Sequence, residues 1–149
     1  MSDAGLVVLV AQLAATAWMC GVILVVHRLV YPTFQRIDGA AWRAHHDTHS
    51  SRITPIVLPA MLVELASAAW LVVVRPEQLA TAWLVVGLAL ALTTWGVTIS
   101  VSLREHTRLG LGHDPASIDT LLRANRIRAA AWLLRLPLAT GLLLTAIVA

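Results

Sequence analysis

Eight side chains in this sequence have the types and spacing to share one site: His27, His46, His49, Glu64, His106, Asn125, Arg128 and Arg135. His45 and His49 are four apart and His46 and His49 three apart, so either pair shares a helical face and can reach one metal ion. His106 adds an imidazole from another segment, which makes His46, His49 and His106 the candidate metal ligands. Imidazole serves Fe, Cu and Zn alike, so the spacing leaves the metal open. The two-His-plus-Glu signature of zinc proteases is absent. His27 and His106 close two apolar stretches at similar height and are the candidate cofactor pair for a haem, a weaker reading than a bare metal. The competing reading makes all of these interfacial histidines that bind headgroups and loop carbonyls.

The remaining four are the candidate catalytic set. Glu64 lies about 11 residues into an apolar stretch, so roughly 16 Å deep. A carboxylate there is costly unless it is paired, neutralised or hydrated. It reads either as a proton-transferring group or as half of an interhelical ion pair. Asn125, Arg128, Trp132 and Arg135 are spaced 3, 4 and 3 and form one helical stripe. Arg128 and Arg135 could neutralise an anionic or carbonyl oxygen, and Asn125 could orient one of these groups. Further stripes carry Thr16, Cys20, His27 and Tyr31; Trp42, His46, His49, Ile53, Ile56, Ala60 and Glu64; and Trp95, Thr98, Ser102 and His106. Turning these faces toward one another spares them contact with lipid.

Composition dictates the elements that must position this set. Of 149 residues 58% are apolar and 13% charged, with a mean hydropathy of +0.78. A soluble domain of this size cannot hide that much apolar surface, and a disordered chain needs the opposite balance. Four stretches, about 6–26, 53–74, 79–101 and 129–148, are long enough to cross a bilayer at roughly 20 residues each. The first has no basic flank before it and is too long for a cleaved signal peptide. Runs of this length exclude barrel strands. The expected fold is therefore an all-α, up-down-up-down four-helix membrane bundle forming a single domain over 1–149.

All eleven basic residues are Arg, and nine of them fall in the connections 27–52 and 102–128. The positive-inside rule puts both connections in the cytoplasm and both termini on the other side of a bacterial inner membrane. Arg75-Pro76-Glu77-Gln78 makes a tight turn on the outer side. Asp38-Gly39 reads as a turn, 40–51 as a short helix, and Pro55 and Pro59 as bends in the second span. Asp114 or Ser117 is the expected N-cap of a helix starting near Pro115. His113 reads as solvated. The net charge of +3 comes with no nucleic-acid-reading motif, and no phosphate loop or serine elbow is present. The outer halves of the spans are too apolar to line a channel. The lone Cys20 forms no disulfide within the chain.

Five blocks have a familiar pattern: Leu29-x-Tyr31-Pro32-x-Phe34, His46-x-x-His49, Pro59-x-Met61-x-x-Glu64, His106-x-x-Leu109-x-x-Gly112-x-Asp114, and Asn125-x-x-Arg128-x-x-x-Trp132-x-x-Arg135. Together they resemble a family of small bacterial four-span membrane proteins that has no established activity to carry over. Members of that family have a Gln near the position of His27 and a His where this chain has Val30, so the resemblance does not carry His27 as a shared ligand. The broad architecture is also similar to the anthrone-oxygenase-like four-span proteins, an analogy of shape alone.

The residues thus point to a polar pocket at the cytoplasmic interface of a membrane bundle. The expected activity is metal-dependent redox chemistry on a lipid-soluble substrate such as a quinone, polyketide or isoprenoid. The alternative is a non-enzymatic accessory subunit that binds a lipid or haem. The expected partners are the bilayer and that small molecule, with no nucleic acid; assembly of several copies is compatible with the sequence.

Overall fold

The computed structural model describes residues 2–37 and 39–148. Four helices, α1 (Asp3–Phe34), α2 (Gly39–Val74), α3 (Thr81–Leu109) and α4 (Pro115–Val148), are each long and apolar enough to cross a membrane. No strand occurs among the described residues. α1 packs on α2 and α4, and α3 packs on the same two. The helices therefore occupy the corners of a four-helix bundle in chain order, as short turns between antiparallel neighbours require.

Both long connections are much shorter than expected. Among the described residues the segment 27–52 is almost wholly helical, leaving a turn at 35–37, and 102–128 leaves only 110–114. The short helix expected over 40–51 is the first part of α2, which runs uninterrupted through Pro55 and Pro59. Gly39 opens that helix; Asp38, its partner in the expected turn, lies outside the described residues. At the opposite end of the bundle, α2 stops at Arg75, which adopts a left-handed φ of 49° just before Pro76.

Two wide turns interrupt the α-helical hydrogen bonding, one in α1 over Val26–Val30 and one in α3 over Thr98–Ser102. In α1, Pro32 follows the wide turn; a straight helix would drive its ring into the preceding turn's carbonyl. In α3 the Thr98 hydroxyl donates to the Thr94 carbonyl at 2.7 Å and the Ser100 hydroxyl to the Gly96 carbonyl at 2.6 Å, drawing acceptors away from the helical ladder. In α1 the wide turn puts Tyr31, five residues after Val26, on the buried face. In α3 the buried Ala91, Thr94, Ser102, Glu105 and Leu109 keep an ordinary helical spacing, with half-buried His106 beside Glu105.

The end of the bundle that carries the histidines is clamped reciprocally. The Trp42 indole donates to the Leu109 carbonyl at the end of α3 (2.8 Å), and the His113 ring meets the Phe34 carbonyl at the end of α1 (3.0 Å). The two rings touch edge to face, 4.8 Å apart. Orphan carbonyls at two helix ends are thus satisfied by side chains from outside those helices. His113 is not the solvated residue expected, because an exposed Gly-rich turn still folds back over the Phe34 carbonyl. Val26, Tyr31, Phe34, Trp42, Leu109, Ile118 and Leu121 form the apolar cluster beneath.

Asp114 is the N-cap of α4. It accepts from the Ala116 and Ser117 amides at 3.1 and 3.3 Å and from the Ser117 hydroxyl at 2.7 Å. The Ser117 hydroxyl, then these amides, hold its carboxyl below the ordinary value of 3.8. A depressed carboxylate contributes stability above its unfolded value and loses it as pH falls through the folded one. Measured against its intrinsic rate at each pH, amide exchange at Ser117 and Ile118 is therefore expected to become faster below that ordinary value. In Asp114→Ala it should already be fast at neutral pH.

Candidate functional site

At mid-bundle one guanidinium joins all four helices. Arg135 on α4 donates from Nη1 to the Gly87 carbonyl of α3 at 2.7 Å and from Nη2 to the Glu64 carbonyl of α2 at 3.1 Å. Its Nε donates to the Thr16 hydroxyl of α1 at 3.3 Å and lies 3.4 Å from Glu64 Oε1. The carboxylate is equally well supplied: the Thr16 hydroxyl donates to Oε1 at 2.7 Å and the Trp132 indole to Oε2 at 2.8 Å. Glu64 and Arg135 are 2% and 1% exposed, so the pair is fully desolvated. Of the two sequence readings for Glu64, this geometry matches the interhelical ion pair, with both carboxylate oxygens engaged. Below it, Ser67 donates to Gln12 at 3.4 Å, both side chains buried; their polar contact had no signal in the sequence beyond a spacing.

Toward the histidine end lies a second polar group. Arg128 stacks over the Trp132 ring, its guanidinium carbon 5.2 Å from the centroid, while the same indole serves Glu64 from its edge. Arg128 lines a cavity of about 100 Å³ together with Tyr31, His49, Thr54, Thr98, Ser102 and His106. That is room for about three waters, or for one small oxygen-bearing group.

The imidazoles form a chain along one wall. Tyr31 Oη and His106 Nε2 are 3.2 Å apart, and His106 Nδ1 and His46 Nε2 are 3.3 Å apart. Either polarity satisfies both bonds: Tyr31 donates inward with each imidazole passing its N–H along, or His46 donates and Tyr31 accepts. His46 is buried, and its other nitrogen lies 3.8 Å from the exposed carboxylate of Asp47. A positive charge on any of these rings would stand desolvated beside Arg128, so neutral imidazoles are favoured.

The three candidate metal ligands are brought together, but not as a ligand set. The His49 ring stacks on His106, with centroids 5.9 Å apart and planes at 25°. Ligating nitrogens point along ring planes, so two stacked rings do not converge on one ion. His106 meanwhile engages both of its nitrogens. Among the described residues no group of three or more His, Cys, Asp or Glu is disposed to hold a metal ion. The expected Fe, Cu or Zn site on His46, His49 and His106 thus finds no support in the arrangement of these side chains.

The haem reading gains no support from the geometry either. No hydrogen bond or ring contact among the described residues joins His27 to His106, and the cavity beside His106 has no room for a macrocycle. His27 falls inside the wide turn of α1, where the stripe from Thr16 and Cys20 loses its phase; Tyr31 beyond the turn is buried instead. Asn125 is buried and donates to the Ile23 carbonyl at 3.4 Å. It ties α4 to α1 and does not line the cavity, so it does not orient the groups there.

Tyr31 and Glu105 are what the sequence reading underrated. Tyr31, placed on a stripe but given no role, is 3% exposed. Glu105 lies one ordinary helical step past Ser102 on the buried face of α3, with Arg108 at 3.0 Å and Arg104 at 3.3 Å holding its carboxylate. Pro32, which disturbs a regular helix, was the signal for Tyr31; the three-residue step after Ser102 was the signal for Glu105.

No protein-family model, curated protein or solved structure matches this chain.

Proposed function

We propose that this chain is a polytopic protein of the bacterial inner membrane, with the histidine end in the cytoplasm and both termini outside. In this reading it draws a lipid-soluble molecule from the bilayer into the Tyr31–His106–Arg128 cavity. Large apolar side chains exposed on every helix, among them Val10, Leu62, Leu92 and Leu134, support immersion in hydrocarbon. The arginine bias supports the orientation. The five sequence blocks that resemble the small four-span family include the buried His46, Glu64, Asn125, Arg128 and Arg135, which supports a shared site.

One observation carries the reading. The inner cavity is separated from an apolar groove of about 490 Å³ only by Val22, Val26, His49 and Ile53, which line both. That groove lies between α1 and α2 and opens sideways, where hydrocarbon would be. A route from the bilayer thus ends at a phenol, a pair of linked imidazoles and a guanidinium.

The chemistry these groups support is acid–base. Tyr31 and His106 can give a proton to a bound oxygen, or take one from it, while the imidazole chain passes the charge toward His46 and Asp47. Arg128 stabilises the negative oxygen. The competing reading, a subunit that only binds the lipid, uses the same pocket without the proton step. A metal-dependent redox reaction is not what this donor geometry favours.

Three measurements check this. Maleimide labelling is expected from the cytoplasmic side at Arg36→Cys and from the outside at Glu77→Cys. Lipid extracts of protein isolated in mild detergent should contain an oxygen-bearing, lipid-soluble compound that is depleted by about tenfold in Tyr31→Phe/His106→Phe. Equal lipid profiles for both proteins would overturn the pocket. Metal analysis should give substoichiometric Fe, Cu and Zn; a full equivalent lost in His46→Ala/His106→Ala would restore the metal reading.

A further inference from the structure

Arg128 has a property that the acid–base reading does not require. It is 6% exposed, yet no carboxylate among the described residues lies within ion-pairing distance, in contrast to Arg135, Arg104 and Arg108. Its buried Nε has no hydrogen-bond partner. Its neighbours offer little compensation: Trp132 supplies a ring face, Tyr31 a phenol, and His49 and His106 are best neutral. The other buried charges are matched, Glu64 by Arg135 and Glu105 by Arg104 and Arg108. The cavity therefore carries one positive charge that no carboxylate among the described residues matches, on a guanidinium almost wholly removed from water, which favours entry of an anion.

We propose that the pocket is a receptor for a long-chain carboxylate, with the head on Arg128 and Tyr31 and the hydrocarbon tail in the groove between α1 and α2. This rests on the lipid-access reading above and names its ligand class. The size of the cavity selects the head: about 100 Å³ accommodates a carboxylate and excludes a phosphodiester headgroup with its glycerol. A carboxylate accepts two parallel N–H bonds from a guanidinium, the strongest pairing open to Arg. The groove selects the tail, since its lining of Ala17, Trp18, Gly21, Val25, Val30 and Ile56 is almost entirely apolar. His49 and Ile53, which also border the neighbouring groove toward Thr33 and Arg52, would have to turn aside to admit the chain.

The test uses the full chain in phosphatidylcholine nanodiscs with a long-chain carboxylic acid bearing a mid-chain diazirine, and its methyl ester. Photolysis is expected to label groove residues around Trp18, Gly21 and Ile56. Oleate should compete, and neither methyl oleate nor acetate should. Labelling should fall by at least about tenfold in Arg128→Gln and survive in Arg128→Lys. Because Arg128→Gln could disturb folding, Gly21→Phe provides a second handle. A Cβ at Gly21 meets nothing within 4 Å, so the ring fills the groove without entering the core and should abolish labelling with Arg128 intact.

Equal labelling by acid and ester, insensitive to Arg128, would overturn the carboxylate assignment and leave the lateral pocket standing. Competition by acetate as strong as by oleate would overturn it in favour of a soluble anion. Labelling by neither probe above the level on the outer face of α3 would overturn both readings.

Discussion

Glu64→Leu is expected to destabilise the bundle by about 3–5 kcal/mol, because it strands the Arg135 guanidinium in a dry interior. Both partners are nearly inaccessible and 3.4 Å apart, so no rotamer brings the orphaned cation to water without breaking its bonds to Gly87 and Thr16. The Thr16 hydroxyl and the Trp132 indole would lose their acceptor as well. The double variant Glu64→Leu/Arg135→Leu should recover most of the loss, since an apolar replacement of both partners is often neutral or better. Unfolding by SDS in mixed micelles, followed by helical circular dichroism, measures the full cycle. If the single variant unfolds like the parent, the carboxylate does not hold the arginine. A retained growth phenotype in both Glu64→Gln and Glu64→Leu would show that this carboxylate moves no proton.

The second large effect lies at the other end of α2. Trp42→Ala is expected to cost about 3–5 kcal/mol, the range for deleting a buried aromatic side chain. Trp42 is 1% exposed, closes the Leu109 carbonyl, and packs against Phe34, His46 and His113 at 5.2, 5.5 and 4.8 Å. Trp42→Phe should cost less, losing the hydrogen bond but keeping much of the ring. Residues 42 and 64 are about 33 Å apart along one helix, so the Trp42→Ala and Glu64→Leu losses should add within about 0.5 kcal/mol. Marked non-additivity would mean that the two ends of α2 do not unfold independently of each other's contacts.

The long-range order of this protein was legible because hydrocarbon imposes a coarse rule. Four apolar stretches had to become four helices, and the charged residues within them had to face inward. The meeting of Glu64 and Arg135 follows from that rule alone, although they start at different depths by residue count: α4 begins well before its apolar stretch, and the bundle places Arg135 level with Glu64. Local phase was less legible. A stripe drawn at 3.6 residues per turn fails at the wide turn of α1, where it puts His27 inside; in α3 it holds through Ser102 and His106 but passes over the adjacent buried Glu105. The connections were legible in part. Helices over 40–51 and from Pro115 were expected within 27–52 and 102–128, whereas the continuation of α1 to Phe34 and of α3 to Leu109 was not; buried Phe34 and Leu109 pack those extensions into the apolar cluster. The imidazole cluster was visible as a spacing, but only ring orientation separates a hydrogen-bonded relay from a set of ligands.

The four-way contact at Arg135 has a consequence for how the chain is made. In the membrane-spanning reading proposed above, α4 is made after α1, α2 and α3, so until it arrives the Glu64 carboxyl has no counter-ion and must stay protonated or hydrated. Arrival of α4 then supplies the missing cation and a bond to each of the three waiting segments in a single docking event. Nascent chains truncated before residue 115 should consequently be recognised as unfinished by membrane proteases, whereas chains that include α4 are sealed from within.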